Sequence, residues 1–149
     1  MLRLFCGVDS RLVQAELTSY LGGLDVRFHG DGTPESDWRK GTLTVSDGVA
    51  VYGSPLQQWQ ETAKLVDLAT RWNVVVSTVS PFVLTAVLTA IARGGINHAM
   101  VEIVWVDEMG TVQVQVDQYG QAENLPTGLD DQVLFIEGEY LRASGKRTV

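Results

Sequence analysis

Asn73-Val-Val-Val-Ser-Thr-Val-Ser80-Pro81-Phe-Val-Leu-Thr-Ala-Val-Leu-Thr-Ala-Ile-Ala92 runs for twenty residues without a charge, between Arg71 and Arg93. A run of that length can cross a bilayer as one helix. It can also fold as a buried strand followed by a buried helix, divided at Ser80-Pro81. The bilayer reading places a proline inside the helix, which costs about 3 kcal/mol in water and is better tolerated in lipid. It also sets Asn73, Ser77, Thr78, Ser80, Thr85 and Thr89 in the membrane, with Trp72 as an interfacial anchor at one end only. The core reading explains more residues. Val74 to Val79 is β-branched except at Ser77, which suits a strand. Ser80 is a natural N-cap and Pro81 a natural first helical residue. Phe82 to Arg93 then reads as a helix, with Arg93 at the end where the dipole favours a cation and Gly94-Gly95 as the stop. That helix is apolar nearly all round and needs covering on all sides, for which a partner or a second copy is one source in a domain this small.

The rest of the chain reads as alternating elements. Leu2 to Val8 is a short buried strand, and Asp9 or Ser10 caps a helix from Arg11 to Leu21 that ends at Gly22-Gly23. Leu12, Val13, Leu17, Tyr20 and Leu21 form its apolar face. Leu24 to Phe28 alternates as a strand, and His29 to Gly41 is a polar loop. Thr42 to Val45 and Val49 to Tyr52 flank Asp47-Gly48, a hairpin signal because the tight turn needs positive φ. Ser54 and Gln57 form a capping box for a helix to Trp72, with Leu56, Trp59, Ala63, Val66 and Ala69 on one face. Ala99 to Val106 and Thr111 to Asp117 alternate as a second hairpin. Val101, Ile103, Trp105, Val112, Val114 and Val116 share one side, and Glu102, Gln113, Gln115 and Asp117 the other. Tyr119 to Gly128 is a turn region, and Val133 to Ile136 a last strand, although Leu129 to Leu141 also suits a helix.

These elements predict a single α+β domain over residues 1–141, followed by a flexible basic tail at 142–149. The expected architecture is a sandwich in which a mixed or antiparallel sheet of about five to seven strands packs with three helices. One domain is what 149 residues with 45% hydrophobic and 19% charged content accommodate. Cys6, the one cysteine, sits in an apolar strand and reads as a buried thiol, which fits a reducing, cytoplasmic compartment.

Charge is unevenly placed. From Gly94 to Leu141 there is no Lys or Arg, and nine acids make that stretch −9. The remainder, with all eleven basic residues against nine acids, is +2. Such a field repels nucleic acid and anionic lipid and attracts a basic protein surface. It also serves simply as a solvated face kept soluble by like charge.

No catalytic, cofactor or metal grouping emerges, and the chain reads as non-enzymatic. His29 and His98 are too few for a zinc spacing, and Gly53-Ser54-Pro55 is better explained as a helix cap than as a nucleophile turn. Asp107 and Glu108 form an acidic hairpin tip without the spaced oxygens of a calcium loop. The residues expected to meet a partner are Phe82, Leu84, Val87, Leu88 and Ile91 on the apolar helix, and Glu102, Asp107, Glu108 and Asp117 on the acidic hairpin.

One resemblance rests on the order of five parts: Leu2 to Val8, Arg11 to Leu21, Leu24 to Phe28, Ser80 to Gly94, and the hairpin Val101 to Val116. In that order the chain resembles the effector-associated constant component modules of bacterial conflict systems. The resemblance covers about two-thirds of the chain and carries over no functional residue. It implies a non-catalytic adaptor, assembling with an effector or at a membrane. The expected function is therefore a protein-interaction or adaptor module, an accessory component of a bacterial defence or effector system. Expected partners are another protein, effector or toxin, or a second copy, and not nucleic acid. Two alternatives stand beside it: an acidic inhibitor or immunity-type protein blocking a basic site on an enzyme, and a membrane-associated protein using residues 73–92.

Overall fold

The computed structural model describes residues 1–23, the backbone of 43–46, and 54–125. In chain order the elements are β1 (Leu2–Gly7), α1 (Ser10–Gly23), β2 (Leu43–Ser46), α2 (Pro55–Ala69), β3 (Asn73–Thr78), α3 (Pro81–Ala92), β4 (Val101–Asp107) and β5 (Gly110–Val114). The uncharged run is divided where its residue types change. Its β-branched half is β3, and the Ser-Pro step opens α3. Ser80 Oγ accepts the Phe82 amide at 3.2 Å, and Pro81 occupies the first turn, where a missing N–H costs nothing. Residues 73–92 are thus not one helix, and no helix among the described residues is long and apolar enough to cross a membrane. The reading of 73–92 as a membrane span is corrected on that ground.

The chain is α+β, with three helices on a mixed sheet in the order β2-β3-β1-β4-β5. Four strands have five to seven residues, and β2 adds a four-residue edge. The upper end of the expected five to seven strands is not reached among the described residues. Pairs β2–β3, β3–β1 and β1–β4 are parallel, and β4–β5 is antiparallel. Parallel neighbours need crossovers, and crossovers are right-handed. The path from β1 to β2 moves one way along the sheet, and the paths β2 to β3 and β3 to β4 move the other way. One hand with two directions puts α1 on one face and α2 with α3 on the opposite face.

The two cores follow that division. Leu2, Leu4, Cys6, Val74, Val76, Ile103, Trp105 and Val114 face α2 and α3, where they meet Val66, Ala69, Val83, Leu84, Val87 and Ile91. Phe5, Val75 and Val106 point to the other face and meet Val13, Leu17 and Leu21 of α1. The α1 stripe is the one its spacing predicts, and Leu12 and Tyr20 flank it. For α2 the expected stripe is rotated. Thr62, Val66 and Ala69 are buried, with Leu65 and Leu68 beside them, while Leu56 and Ala63 are exposed. The reason is that α2 contacts two surfaces. Its 62/66/69 side rests on the sheet, and Trp59 and Ala63 border a groove shared with Ala86, Thr89 and Ala90 of α3. The expected capping box is present: the Gln57 amide donates to Ser54 Oγ at 3.2 Å, and the Ser54 amide donates to Gln57 Oε1 at 2.8 Å.

The apolar all-round helix α3 is covered from within the chain. The sheet lies beneath it and α2 along one flank. On another side the turn that follows β5 closes over it: a Cβ added at Gly120 would stand 2.3 Å from the Leu88 carbonyl oxygen and 3.2 Å from the Ala92 Cβ. Ala122 and Leu125 pack on the same core. Most of this helix is thus buried by its own chain. The expected strand Leu24–Phe28, the loop His29–Gly41, the hairpin arm Val49–Tyr52, the strand Val133–Ile136 and the tail lie outside the described residues.

Gly120 has φ +75° as well as the close approach to Leu88. Gly120→Ala is expected to destabilise the chain by about 2–4 kcal/mol, combining left-handed strain with overpacking. Urea unfolding monitored by Trp fluorescence measures the loss, and an unchanged midpoint refutes the turn as the cover of α3.

Candidate functional site

The sheet order places a topological switch between β1 and β3, where one following helix leaves on each face. In open sheets with parallel strands, ligands sit outside the carboxyl ends of the strands at such a point. Here that end is built from Val8, Asp9 and Ser10 after β1, Val79, Ser80 and Pro81 after β3, and the β4–β5 turn. Its polar groups bond to the protein itself. Asp9 caps α1: the Arg11 amide donates to Asp9 Oδ1 at 2.9 Å, and the Val13 amide donates to the Asp9 carbonyl at 3.1 Å. Ser80 Oγ donates to Gln58 Oε1 at 2.5 Å, tying α3 to α2, while the Ser80 amide donates to Thr78 Oγ1 at 3.0 Å. Cys6 is buried, and burial pushes its thiol up to about 12. No group of three metal-ligating side chains exists among the described residues.

The nine residues expected to form an interaction surface are separated by the fold. Leu84, Val87 and Ile91 are core residues on this chain, because α3 turns that side to the sheet, and they offer no free surface. Leu88 is half-buried beside the turn at Gly120. Glu102 is mid-strand on the α1 face, ion-paired with Arg3, whose guanidinium lies 4.5 Å above the Tyr20 ring. Asp117 is spent on a turn, where its Oδ1 accepts the Tyr119 amide at 2.8 Å and the Gln121 amide at 3.0 Å. Phe82, Asp107 and Glu108 all lie at the carboxyl end of the sheet, Phe82 after β3 and the two acids after β4, with β1 between those strands. Of these, Asp107 Oδ1 accepts the Met109 amide at 2.8 Å and shapes the hairpin turn, Phe82 is half-buried, and Glu108 is exposed.

Two residues of this rim were not legible in the sequence. Met109 is 95% exposed at the hairpin tip, and Val8 is 47% exposed at the end of the neighbouring β1. Pairing of Gly7 with Val106, and of Asp107 with Gly110, sets both at one end of the sheet. The one available signal was position. A methionine before a turn glycine has no core to enter, since Gly110, at φ +121°, starts the returning strand. The arrangement is an apolar tip edged by Asp9, Asp107 and Glu108. No protein-family model, curated protein or solved structure matches the chain.

Two measurements check this description. Asp9 is held below its ordinary 3.8, first by the Arg11 backbone N–H and then by the Arg11 side chain. A lowered folded-state value means its stabilising effect is complete above the unfolded value and fades as pH falls through the folded one. Asp9→Asn keeps a cap without the charge, so the parent's stability advantage over it should be constant above the ordinary carboxylate range and shrink as pH falls below 3.8. A pH-independent difference in thermal midpoint refutes this. Cys6, for its part, should not react with an aromatic disulfide reagent at neutral pH until the chain unfolds, so its labelling rate should track denaturant concentration.

Proposed function

We propose that the chain is a non-enzymatic protein-interaction module that presents the β4–β5 tip and the adjoining end of β1 to a partner. The observation that carries this reading is Met109, 95% exposed beside exposed Glu108 on a short, well-formed turn. An apolar side chain on a rigid projection is an anchor in search of a pocket. Its acidic neighbours, and the −9 stretch to which they belong, favour a partner with basic residues around that pocket. The order of elements extends the proposal to an accessory or adaptor role beside an effector in a bacterial defence system. The same charge run supports the second reading, an acidic inhibitor that covers a basic enzyme site; the two differ in whether binding abolishes the partner's activity.

Co-expression with the products of the genes flanking its own tests both. A complex with one of them should weaken at least tenfold in Glu108→Lys/Met109→Lys, with about 1.4 kcal/mol or more of binding free energy lost, and its affinity should fall with added salt. No complex with any of these products, or one indifferent to both the substitution and salt, sinks the proposal. Loss of the partner's activity on binding selects the inhibitor reading.

A further inference from the structure

Among the described residues β5 is the last strand of the sheet, so its outer edge presents peptide groups that β4 does not use. Such an edge is a template for another extended chain. After the turn at residues 117–120 the chain comes back along this edge. The Asp117 amide donates to the Gln121 carbonyl at 3.0 Å, and the Glu123 amide donates to the Gln115 carbonyl at 2.9 Å, with Val116 opposite Ala122. A regular sixth strand would next offer a backbone carbonyl to the Gln115 amide. Instead, Asn124 Oδ1 accepts that amide at 2.6 Å, and Asn124 Nδ2 donates to the Gln113 carbonyl at 2.9 Å. A primary amide carries an acceptor oxygen beside a donor NH2, so one side chain replaces the carbonyl and the N–H that two successive peptide groups of a strand would offer, and this orientation alone satisfies both partners.

We propose that Asn124 is a strand-mimicking plug: its side-chain amide occupies the Gln113 carbonyl and the Gln115 amide on the β5 edge and keeps that edge from pairing with β5 of a second copy of this chain. The backbone need not remain extended beyond Glu123 for this stretch of the edge to be occupied. Asparagine is suited to this because its amide sits one methylene from the backbone. Aspartate at the same place keeps the acceptor for Gln115 but sets an oxygen against the Gln113 carbonyl.

The test uses the full chain. In Asn124→Ala, hydrogen exchange at the Gln115 amide should speed about tenfold, the effect of losing one net hydrogen bond near the top of the usual range, while Leu4 in the central strand keeps its protection. Light scattering over a concentration series should then show more dimer than the parent at each concentration. Asn124→Asp should associate in the same way, and it decides the matter if the Ala variant does not fold. Adding Thr111→Lys, a charge on the same edge, should return the mass to that of the parent. Folded variants with the parent's mass at every concentration overturn the proposal. So does association that persists with Thr111→Lys, because the contact is then not made through the β5 edge.

Discussion

Parallel pairing of β1 with β3 on one side and β4 on the other is the constraint on which the rest depends. Leu2, Leu4 and Cys6 face one core and Phe5 the other, so β1 is buried on both faces. A strand in that position can tolerate few polar side chains, and Arg3 is accommodated only by its ion pair with Glu102 and its seat over Tyr20. Parallel neighbours also cannot be joined by tight turns. Every connection inward of the β4–β5 hairpin therefore spends a crossover, and the handedness of crossovers assigns each helix to its face.

The lack of a polar side on α3 follows from this position. It crosses above β1 on its way from β3 to β4 and is flanked by α2. Val83, Leu84, Ala86, Val87 and Ile91 are buried. Thr85 is exposed, and its hydroxyl donates to the Pro81 carbonyl at 2.8 Å, so even the polar break in the helix bonds to its own turn. Covering the remaining side by the turn at Gly120 requires that no Cβ be there. That single glycine links the hairpin and its return segment to the helix core, and it places Asn124 alongside β5.

The carboxyl end of the sheet is where folds of this kind commonly hold ligands, yet here Asp9, Thr78, Ser80 and Gln58 bond to their own helices and loops. What the end turns outward is apolar and acidic. A two-sided core thus carries a small projecting tip, with Met109 and Glu108 exposed on it.

The sequence by itself determined the local elements. β-branching marked β3, Ser-Pro and Ser-x-x-Gln marked the starts of α3 and α2, and alternation marked the β4–β5 hairpin and which of its residues face the core. These signals are read over a few residues, because backbone sterics and capping act at that range. Tertiary structure alone decided that β1 lies between β3 and β4, that the buried side of α2 is turned toward Thr62 and Val66, and that α3 is covered by its own chain. It also decided the fate of the candidate surface, sending Leu84, Val87 and Ile91 inward, Glu102 to Arg3 and Asp117 to a turn, while leaving Met109 outside. The physical reason is that apolar and acidic side chains state only what they prefer as surroundings. Which of them find those surroundings within the chain depends on the order in which strands far apart in sequence are laid side by side.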